Sequence, residues 1–412
     1  MKPVRVLFYY DNYCSAASRG GTEVATARIA RALESSGKVE VFHAFLRNRS
    51  SLHEDAYKGE LQLPKGPAFV STLAGFIRAN RIDVVVNMGR FFRQKKLRKA
   101  IEASGRDVRL MFMHHFAPGS ERQKPTYKAG LHLLRLNPVN PLYWLRATVY
   151  PLLRLPKTLG LGRIYRKVYE MSDRVILLSE GYKNDYNLVS GLADESKFVA
   201  IPNIFDAPSV NNSYLKEKRV LILSRMDEIQ KRISVALKVW QKIESSGEFA
   251  DWHLDVVGTG HDMGAVRREA RRLGLKNVTF HGWQHAMPFL ERSSILMMTS
   301  DYEGLPLSIL EAQAYGVVPI AFDSFASLRD VITDTSSTPN TSTPEASTPD
   351  TSTPNGVIVS PSVGIDGFAA RLAALMRSPE HLATLSASAR GSSASFSPSA
   401  VLPHWLRLLP TR

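Results

Sequence analysis

The stretch Ser300–Ala312 reads SDYEGLPLSILEA and holds two glutamates, Glu303 and Glu311, on either side of a turn. Pro306 suits the first position of a helix, where a missing N–H costs nothing. A helix opening near Gly304–Leu307 presents the backbone N–H groups of Gly304, Leu305 and Leu307 together with its positive dipole end. That combination attracts an anion such as phosphate. Two glutamates at this spacing also occur on any solvated helix face, so the apolar run Ile295–Thr299 just before them matters: it makes the segment a strand–turn–helix. Upstream, Arg225 and Lys231 follow another apolar run, Arg219–Leu223. Two cations at the end of a strand suit a diphosphate, Arg offering a fork and Lys a point charge. Pairing with the neighbouring Asp227 and Glu228 is the plain structural alternative.

Three further segments have chemistry-bearing types at strand ends. Val256–Gly260 reads VVGTG, a strand and a glycine turn in which Gly258 allows close backbone approach to a ligand; it is too short for a dinucleotide fingerprint. Arg19–Glu23 reads RGGTE, so Gly20 and Gly21 open a helix and offer amides to phosphate, without the third glycine of a Rossmann fingerprint or the lysine of a P-loop. His114 and His115 close the run Val108–His115; adjacent strand residues face opposite ways, so only one of them can face a given ligand. No cysteine or carboxylate cluster accompanies them, which argues against a metal site.

The elements that must position these residues are legible in the apolar pattern. Continuous β-branched runs, as expected for strands buried on both faces, occur at Val4–Tyr10, Val39–Phe45, Asp83–Met88, Val108–His115, Arg174–Ser179 and Phe198–Ile201. A second series follows at Arg219–Leu223, Trp252–Val257, Val278–Phe280, Ile295–Thr299, Val317–Phe322 and Val357–Val359. Helical segments such as Thr22–Ser36, Ile233–Ile243 and Leu307–Tyr315 lie between them. The pattern predicts an α/β chain of two doubly wound Rossmann-like domains facing a cleft, with ligands beyond the carboxyl ends of the strands. Expected domains are 1–205, 206–385, and a C-terminal helix in 386–412 that packs back on the first domain.

Composition removes several classes. With 412 residues and 44% hydrophobic content the chain has ample apolar surface to fold. A single cysteine, Cys14, excludes a disulfide framework. No uncharged apolar run of spanning length appears, and the N-terminal run is too short for a secretory core, so the expected location is cytoplasmic.

The net charge of +15 is uneven: residues 1–200 hold 33 Lys/Arg against 17 Asp/Glu. Arg122–Tyr169 alone has ten Lys/Arg and no acid, mixed with Trp144, five Tyr and many Leu. Such interleaving suits an interfacial segment on anionic lipid, with nucleic acid and a solvated basic face as rivals. From Ser337 the chain repeats STPNT, STPEA, STPDT, STPNG. A segment of that composition buries little, which predicts a disordered loop over 335–355.

Taken together, GGTE after the first strand, a histidine ending a later strand, Arg225 with Lys231, and the Glu-seven residues-Glu pattern resemble the retaining glycosyltransferases of family 4, which have the GT-B fold. The likeness is strongest over Val278–Asp323, where HGW, YEGLPLSILEA and AYGVVPIAFD all match; Ile201-Pro202-Asn203 resembles the linker, and Phe396-Ser397 with Trp405 the final helix. The resemblance implies a nucleotide-sugar donor, a UDP-sugar favoured, no other cofactor and no metal. It implies that Arg225 and Lys231 bind the diphosphate and stabilise its departure, that Glu311 accepts from the ribose and Glu303 from the donor sugar, and that His114 sits near the transferred sugar. Gly20, Gly21, Gly304, Leu305 and Leu307 would hold phosphate through their amides, with Gly258 at the same site. Glu303 and Glu311 would then not be the carboxylate pair of a glycosidase. The acceptor expected from the basic segment is a glycan or glycolipid at an anionic membrane surface, such as a lipopolysaccharide or polysaccharide precursor, with the enzyme peripheral at the inner face and no nucleic acid bound. A nucleotide-sugar epimerase of the same fold, and a non-catalytic basic binding protein, are the alternatives weighed; the Glu motif and the donor cations favour the transferase.

Overall fold

The computed structural model describes residues 2–18, 20–48, 52–123, 160–208, 216–333 and 354–410, with four isolated positions between 124 and 159. Most of the basic segment 122–169 and nearly all of the STP repeat fall outside the described residues.

The chain divides into two compact units, one holding residues 1–119, 155–206 and 395–412, the other including 207–394. The first is built on a seven-stranded parallel sheet in the order β3-β2-β1-β4-β5-β6-β7. Its strands are β1 Val4–Tyr9, β2 Val39–Phe45, β3 Gly59–Gln62, β4 Val84–Asn87, β5 Arg109–His114, β6 Arg174–Leu177 and β7 Phe198–Ala200. Six of these stand where the apolar runs predicted them. The exception, β3, is a sheet edge whose residues alternate between half-buried and exposed; it is short and polar, so no apolar run marked it. Three helices of this unit are α1 Gly21–Ser35, α2 Phe69–Ala79 and α3 Gln94–Ser104, and α4 Tyr182–Ser190 follows β6.

The second unit repeats the plan with six parallel strands in the order β10-β9-β8-β11-β12-β13. They are β8 Arg219–Leu223, β9 His253–Val257, β10 Val278–Gly282, β11 Ile295–Met298, β12 Val318–Phe322 and β13 Val357–Val359. Helices α5 Ile233–Ser245, α6 Met263–Arg272, α7 Leu307–Ala314, α8 Gly364–Arg377 and α9 Pro379–Ser392 cover them. The core joins one face of the sheet to α5 and α8 through Trp240, Leu237, Phe368 and Leu372. Asp255, fully buried on β9, is held by Arg219 at 2.9 Å and His281 at 2.6 Å, which satisfies its charge inside the sheet.

Two Ser-Pro pairs set the last helices. Ser378 caps α9 by accepting from the His381 N–H, and Ser397 caps the final helix, α10 Pro398–Leu408, by accepting from the Ala400 N–H; Pro follows each cap where its missing donor is harmless. The expected boundary at 386 therefore falls inside α9, which packs on α7 and α8 of the second unit. Only α10 belongs to the first unit. There it lies on α1, its Trp405 fully buried and edge-on to Phe8 at 6.1 Å, while Phe205 N–H donates to Phe396 O at 2.8 Å.

Among the described residues, no helix is long and apolar enough to cross a membrane.

Two histidines of the first unit are buried in their neutral form. His43 Nε2 accepts from the Cys14 N–H at 3.1 Å while Nδ1 lies 3.1 Å from Phe8 O, which together fix one neutral tautomer, and burial pushes its pKa down to about 4. Burial pushes His115 down to about 3. Both folded-state values lie below the unfolded one, so the unfolded chain takes up protons that the folded chain refuses. Stability is whole above the unfolded value of about 6.5 and falls as pH drops toward 4. Chemical denaturation between pH 7.5 and 4.5 should show this loss, and His43→Gln should flatten it.

Candidate functional site

In both sheets the strand order reverses once, between β1 and β4 and between β8 and β11. At such a point the loops after neighbouring strands run in opposite directions and leave a crevice at the carboxyl ends. In the second unit those two loops are Ser224–Arg232 and Thr299–Pro306. A pocket opens there, walled by Leu223, Ser224, Lys231, Met298, Thr299 and Ser300.

The two loops carry a connected polar array, of which Lys231 lines the pocket. Lys231 Nζ pairs with Glu303 Oε1, both side chains about nine-tenths buried. Gln230 Nε2 donates to the other carboxylate oxygen at 3.1 Å and to Tyr302 O at 3.1 Å. Arg225 Nη2 donates to Gln230 Oε1 at 2.9 Å. The sequence alternative, in which Asp227 and Glu228 neutralise the two cations, is not what forms. Asp227 caps the turn Glu228–Lys231 by accepting from the Gln230 N–H at 3.2 Å. Glu228 is buried and caps α5, accepting from the Ser234 N–H at 3.1 Å and from its hydroxyl. The cations are thus left to the crevice.

Backbone strain supports the same loop. Arg232 sits at φ 50°, in the left-handed region that a non-glycine residue occupies at a cost of about 1 kcal/mol. It is held there by an Nη1–Asp301 Oδ1 bond of 2.7 Å, and Thr299 Oγ1 donates to the carbonyls of Lys231 and Arg232 at 3.0 and 3.1 Å. This conformation turns the chain from the short helix into α5 and leaves Lys231 inside.

Gly258 has a different reason from the one its motif suggests. Its φ is +132°, and a Cβ there would stand 1.9 Å from Ser224 O; at Gly260 a Cβ would stand 2.4 Å from Met226 O. The missing side chains make room for the chain's own Ser224–Met226 backbone, which is bonded across by Ser224 N–H to Val257 O and Met226 N–H to Thr259 O, both at 3.1 Å. The glycine turn thereby fixes where Arg225 leaves the sheet.

On the other loop, Pro306 is the cap and α7 starts at Leu307. Gly304 and Leu305 are buried, and the Leu307 N–H already turns back to Leu305 O at 2.9 Å. Glu311 is half-buried on α7. Three potential metal ligands, Asp227, His261 and Asp262, also come together, the exposed His261 contrasting with the buried Asp262. Asp262 Oδ2 accepts from the Glu228 N–H at 2.8 Å and pairs with His261 Nε2 at 3.1 Å, so the cluster braces the loop from behind.

The remaining sequence candidates lie in the first unit, also at carboxyl ends. Gly20 is the cap of the 15-residue α1, and Gly21 is exposed with open space where a Cβ would go. His114 ends β5 only 1% exposed, ringed by Phe91, Phe112, Tyr165 and Tyr186, with its Nε2 3.4 Å from Tyr165 Oη. His115 faces away, near Gly89, and its buried Nε2 has no hydrogen-bond partner. Sequence reasoning singled out His114, which the fold packs among aromatic rings at the end of β5. It also passed over Gln230, for which no motif gave a signal.

Residues 217–378 match the family model described as Glycosyl transferases group 1. Over 88 residues the chain is 33% identical to the Lipopolysaccharide 1,6-galactosyltransferase of Salmonella typhimurium, covering 20% of this chain and 24% of that one. Over 175 residues it is 26% identical to the Amylovoran biosynthesis glycosyltransferase AmsD of Erwinia amylovora, covering 40% and 48%. The chain thus matches between about a quarter and a half of these curated relatives' length. Among solved structures, that of Anabaena Alr3699/HepE in complex with UDP-glucose superposes with a TM-score of 0.68 at 14% identity, covering 98% of this chain and 99% of that one. The chain has the GT-B fold, and the match to the Glycosyl transferases group 1 model lies within its second unit.

Gly258→Ala should destabilise the protein by about 1–3 kcal/mol, the cost of an overpacked and strained backbone. Gly21→Ala, placed in open space at a helix start, should stay within about 0.5 kcal/mol of the parent. Thermal unfolding of the two variants checks both.

Proposed function

We propose that this chain is a retaining glycosyltransferase that moves a sugar from a nucleotide-sugar donor, a UDP-sugar favoured, to a glycan or glycolipid acceptor of the lipopolysaccharide or polysaccharide-precursor kind. The observation that carries the reading is the array at the switch point of the second unit, where Arg225 and Lys231 stand beside the buried Glu303 in place of pairing with Asp227 and Glu228. Two cations at the mouth of a parallel sheet suit a diphosphate leaving group, whose charge grows as the glycosidic bond breaks. The names of the Salmonella relative and of the UDP-glucose complex of the Anabaena protein support a sugar nucleotide.

In this reading Arg225 and Lys231 take the diphosphate, and Lys231 leaves Glu303 to do so. Glu303 is then released to accept from hydroxyls of the donor sugar, while Glu311 accepts from the ribose. The amides of Gly304 and Leu305, and of Gly20 and Gly21, assist at phosphate, whereas that of Leu307 is taken by Leu305 O. His114, at the end of β5, is the residue assigned to the transferred sugar. Both oxygens of Glu303 are engaged, by Lys231 and Gln230, which suits a carboxylate that orients hydroxyls better than a glycosidase nucleophile. The acceptor attacks from the face that the diphosphate vacates, which preserves the anomeric configuration. The cations and helix end do the work of a metal, so no metal is required. The basic composition of 122–169 supports an acceptor at an anionic membrane surface, with the protein peripheral at its cytoplasmic side and without nucleic acid as partner.

Calorimetric titration with UDP and GDP in the absence of metal tests the donor site. UDP should bind, and Glu311→Ala should weaken it about 10- to 100-fold, since the ribose hydroxyls would lose their half-buried acceptor. With a UDP-sugar and an acceptor in hand, Arg225→Ala should lower kcat more than it raises KM, because its charge matters most as the diphosphate departs. Parent-like behaviour of both variants contradicts the assignment.

A further inference from the structure

One buried side chain in the array touches both Arg225 and Glu303 and is assigned no contact with the ligand in the reading above. Gln230 is 4% exposed and lies between Arg225 and Glu303. Its main chain is pinned at both ends, the N–H donating to Asp227 Oδ1 at 3.2 Å and the carbonyl accepting from the Asp301 N–H at 2.8 Å. Its side chain makes three further bonds: Oε1 accepts from Arg225, and Nε2 donates to Glu303 Oε2 and to Tyr302 O. The orientation of the amide is forced. Turned over, its NH2 would meet a guanidinium and its oxygen would meet a carboxylate and a carbonyl.

We propose that Gln230 is a positioning residue of the donor site, an uncharged bracket whose amide holds the Arg225 guanidinium at one end and the Glu303 carboxylate at the other. The inference rests on the donor-site reading. A neutral bracket does what neither a charged nor an apolar residue does at this position. It accepts from Arg225 without neutralising it, so the full positive charge remains for the diphosphate. It donates to one oxygen of Glu303, so the carboxylate stays in place when Lys231 turns from the other oxygen to the ligand. A carboxylate at 230 would pair with Arg225 and repel Glu303. An aliphatic side chain would leave Arg225 and Glu303 free to move. The charged side chains that meet the Gln230 amide are Arg225 and Glu303, Tyr302 meeting it through its carbonyl, with Lys231 and Asp227 next to them on its own turn.

The distinguishing experiment uses Gln230→Glu and Gln230→Met in the full-length chain, with UDP binding measured by calorimetry from about pH 8 to about pH 5.5. A protonated carboxyl at 230 offers an O–H to Glu303 and a C=O to Arg225, as the amide does, whereas an ionised one neutralises Arg225 and repels Glu303. The ratio of the Gln230→Glu Kd to the parent Kd should therefore be about tenfold or more at pH 8 and fall toward one as the pH drops, a carboxylate beside Glu303 being driven to hold its proton. UDP's own titration cancels in that ratio. Gln230→Met should bind about tenfold more weakly at every pH. A general packing role would give Gln230→Glu a ratio that does not change with pH, and that result overturns the proposal. Parent-like affinity in Gln230→Met overturns it too, including where Gln230→Glu fails to fold. If the parent itself binds no UDP, the donor-site reading is wrong and this inference falls with it; binding by the parent with unaltered variants rejects Gln230 alone.

Discussion

A carboxylate taken out of water must find compensating partners within hydrogen-bond reach, and at Glu303 that demand organises the whole crevice. Its two oxygens are met by Lys231 and Gln230 from the loop after β8, while Glu303 itself comes from the loop after β11. The ion pair is therefore also the fastener between the two loops that flank the switch point. Breaking such a pair from one side leaves a buried charge, which costs several kcal/mol; exchanging Lys231 for another donor costs far less. In the reading proposed above, this crevice takes a ligand that brings both an anion for Lys231 and hydroxyls for Glu303. A sugar joined to a diphosphate has both.

The scaffold around that fastener follows from local constraints. The glycine turn at Gly258 and Gly260 lets the Ser224–Met226 backbone run close by, which sets the exit of Arg225 from β8. Arg232, held in a left-handed conformation by Asp301, ends the short helix one residue after Lys231 and starts α5. Glu228 then caps that helix. In this way the acidic residues nearest the two cations in sequence are spent on helix ends, and the cations turn instead to Glu303 and Gln230. The parallel sheet beneath supplies rigidity, its strands buried on both faces and its one fully buried acid, Asp255, neutralised within the sheet.

Much of this was legible in the sequence because buried parallel strands appear as continuous apolar runs. Twelve strands stand where such runs lie, and the segment from Ser300 to Ala312 showed its turn and helix through Pro306. The edge strand Gly59–Gln62 was not legible, since one polar residue in two leaves no run to see. The transition to the final helix was misplaced because 386 lies in a helix with no break of its own; the Ser397-Pro398 cap marks the later start. At the site, residue types announced Arg225, Lys231 and Glu303, but their partners came from the fold. Whether a lysine pairs with an acid three residues away or 72 residues away is decided by the strand order, and a glutamine's role depends wholly on what stands at its two ends. The same limit applies to Gly258, where spacing suggested a ligand contact and the close neighbour is the chain's own carbonyl.

The central claim is that the Lys231–Glu303 pair opens to admit a diphosphate held with Arg225. A crystal structure of the protein with a bound UDP-sugar tests it most directly. The account predicts phosphate oxygens on the Arg225 guanidinium and Lys231 Nζ, with Lys231 moved off Glu303, Gln230 still on it, and sugar hydroxyls in the place that Lys231 has left. A nucleotide bound elsewhere, or bound with the Lys231–Glu303 pair intact and Arg225 untouched, would contradict it.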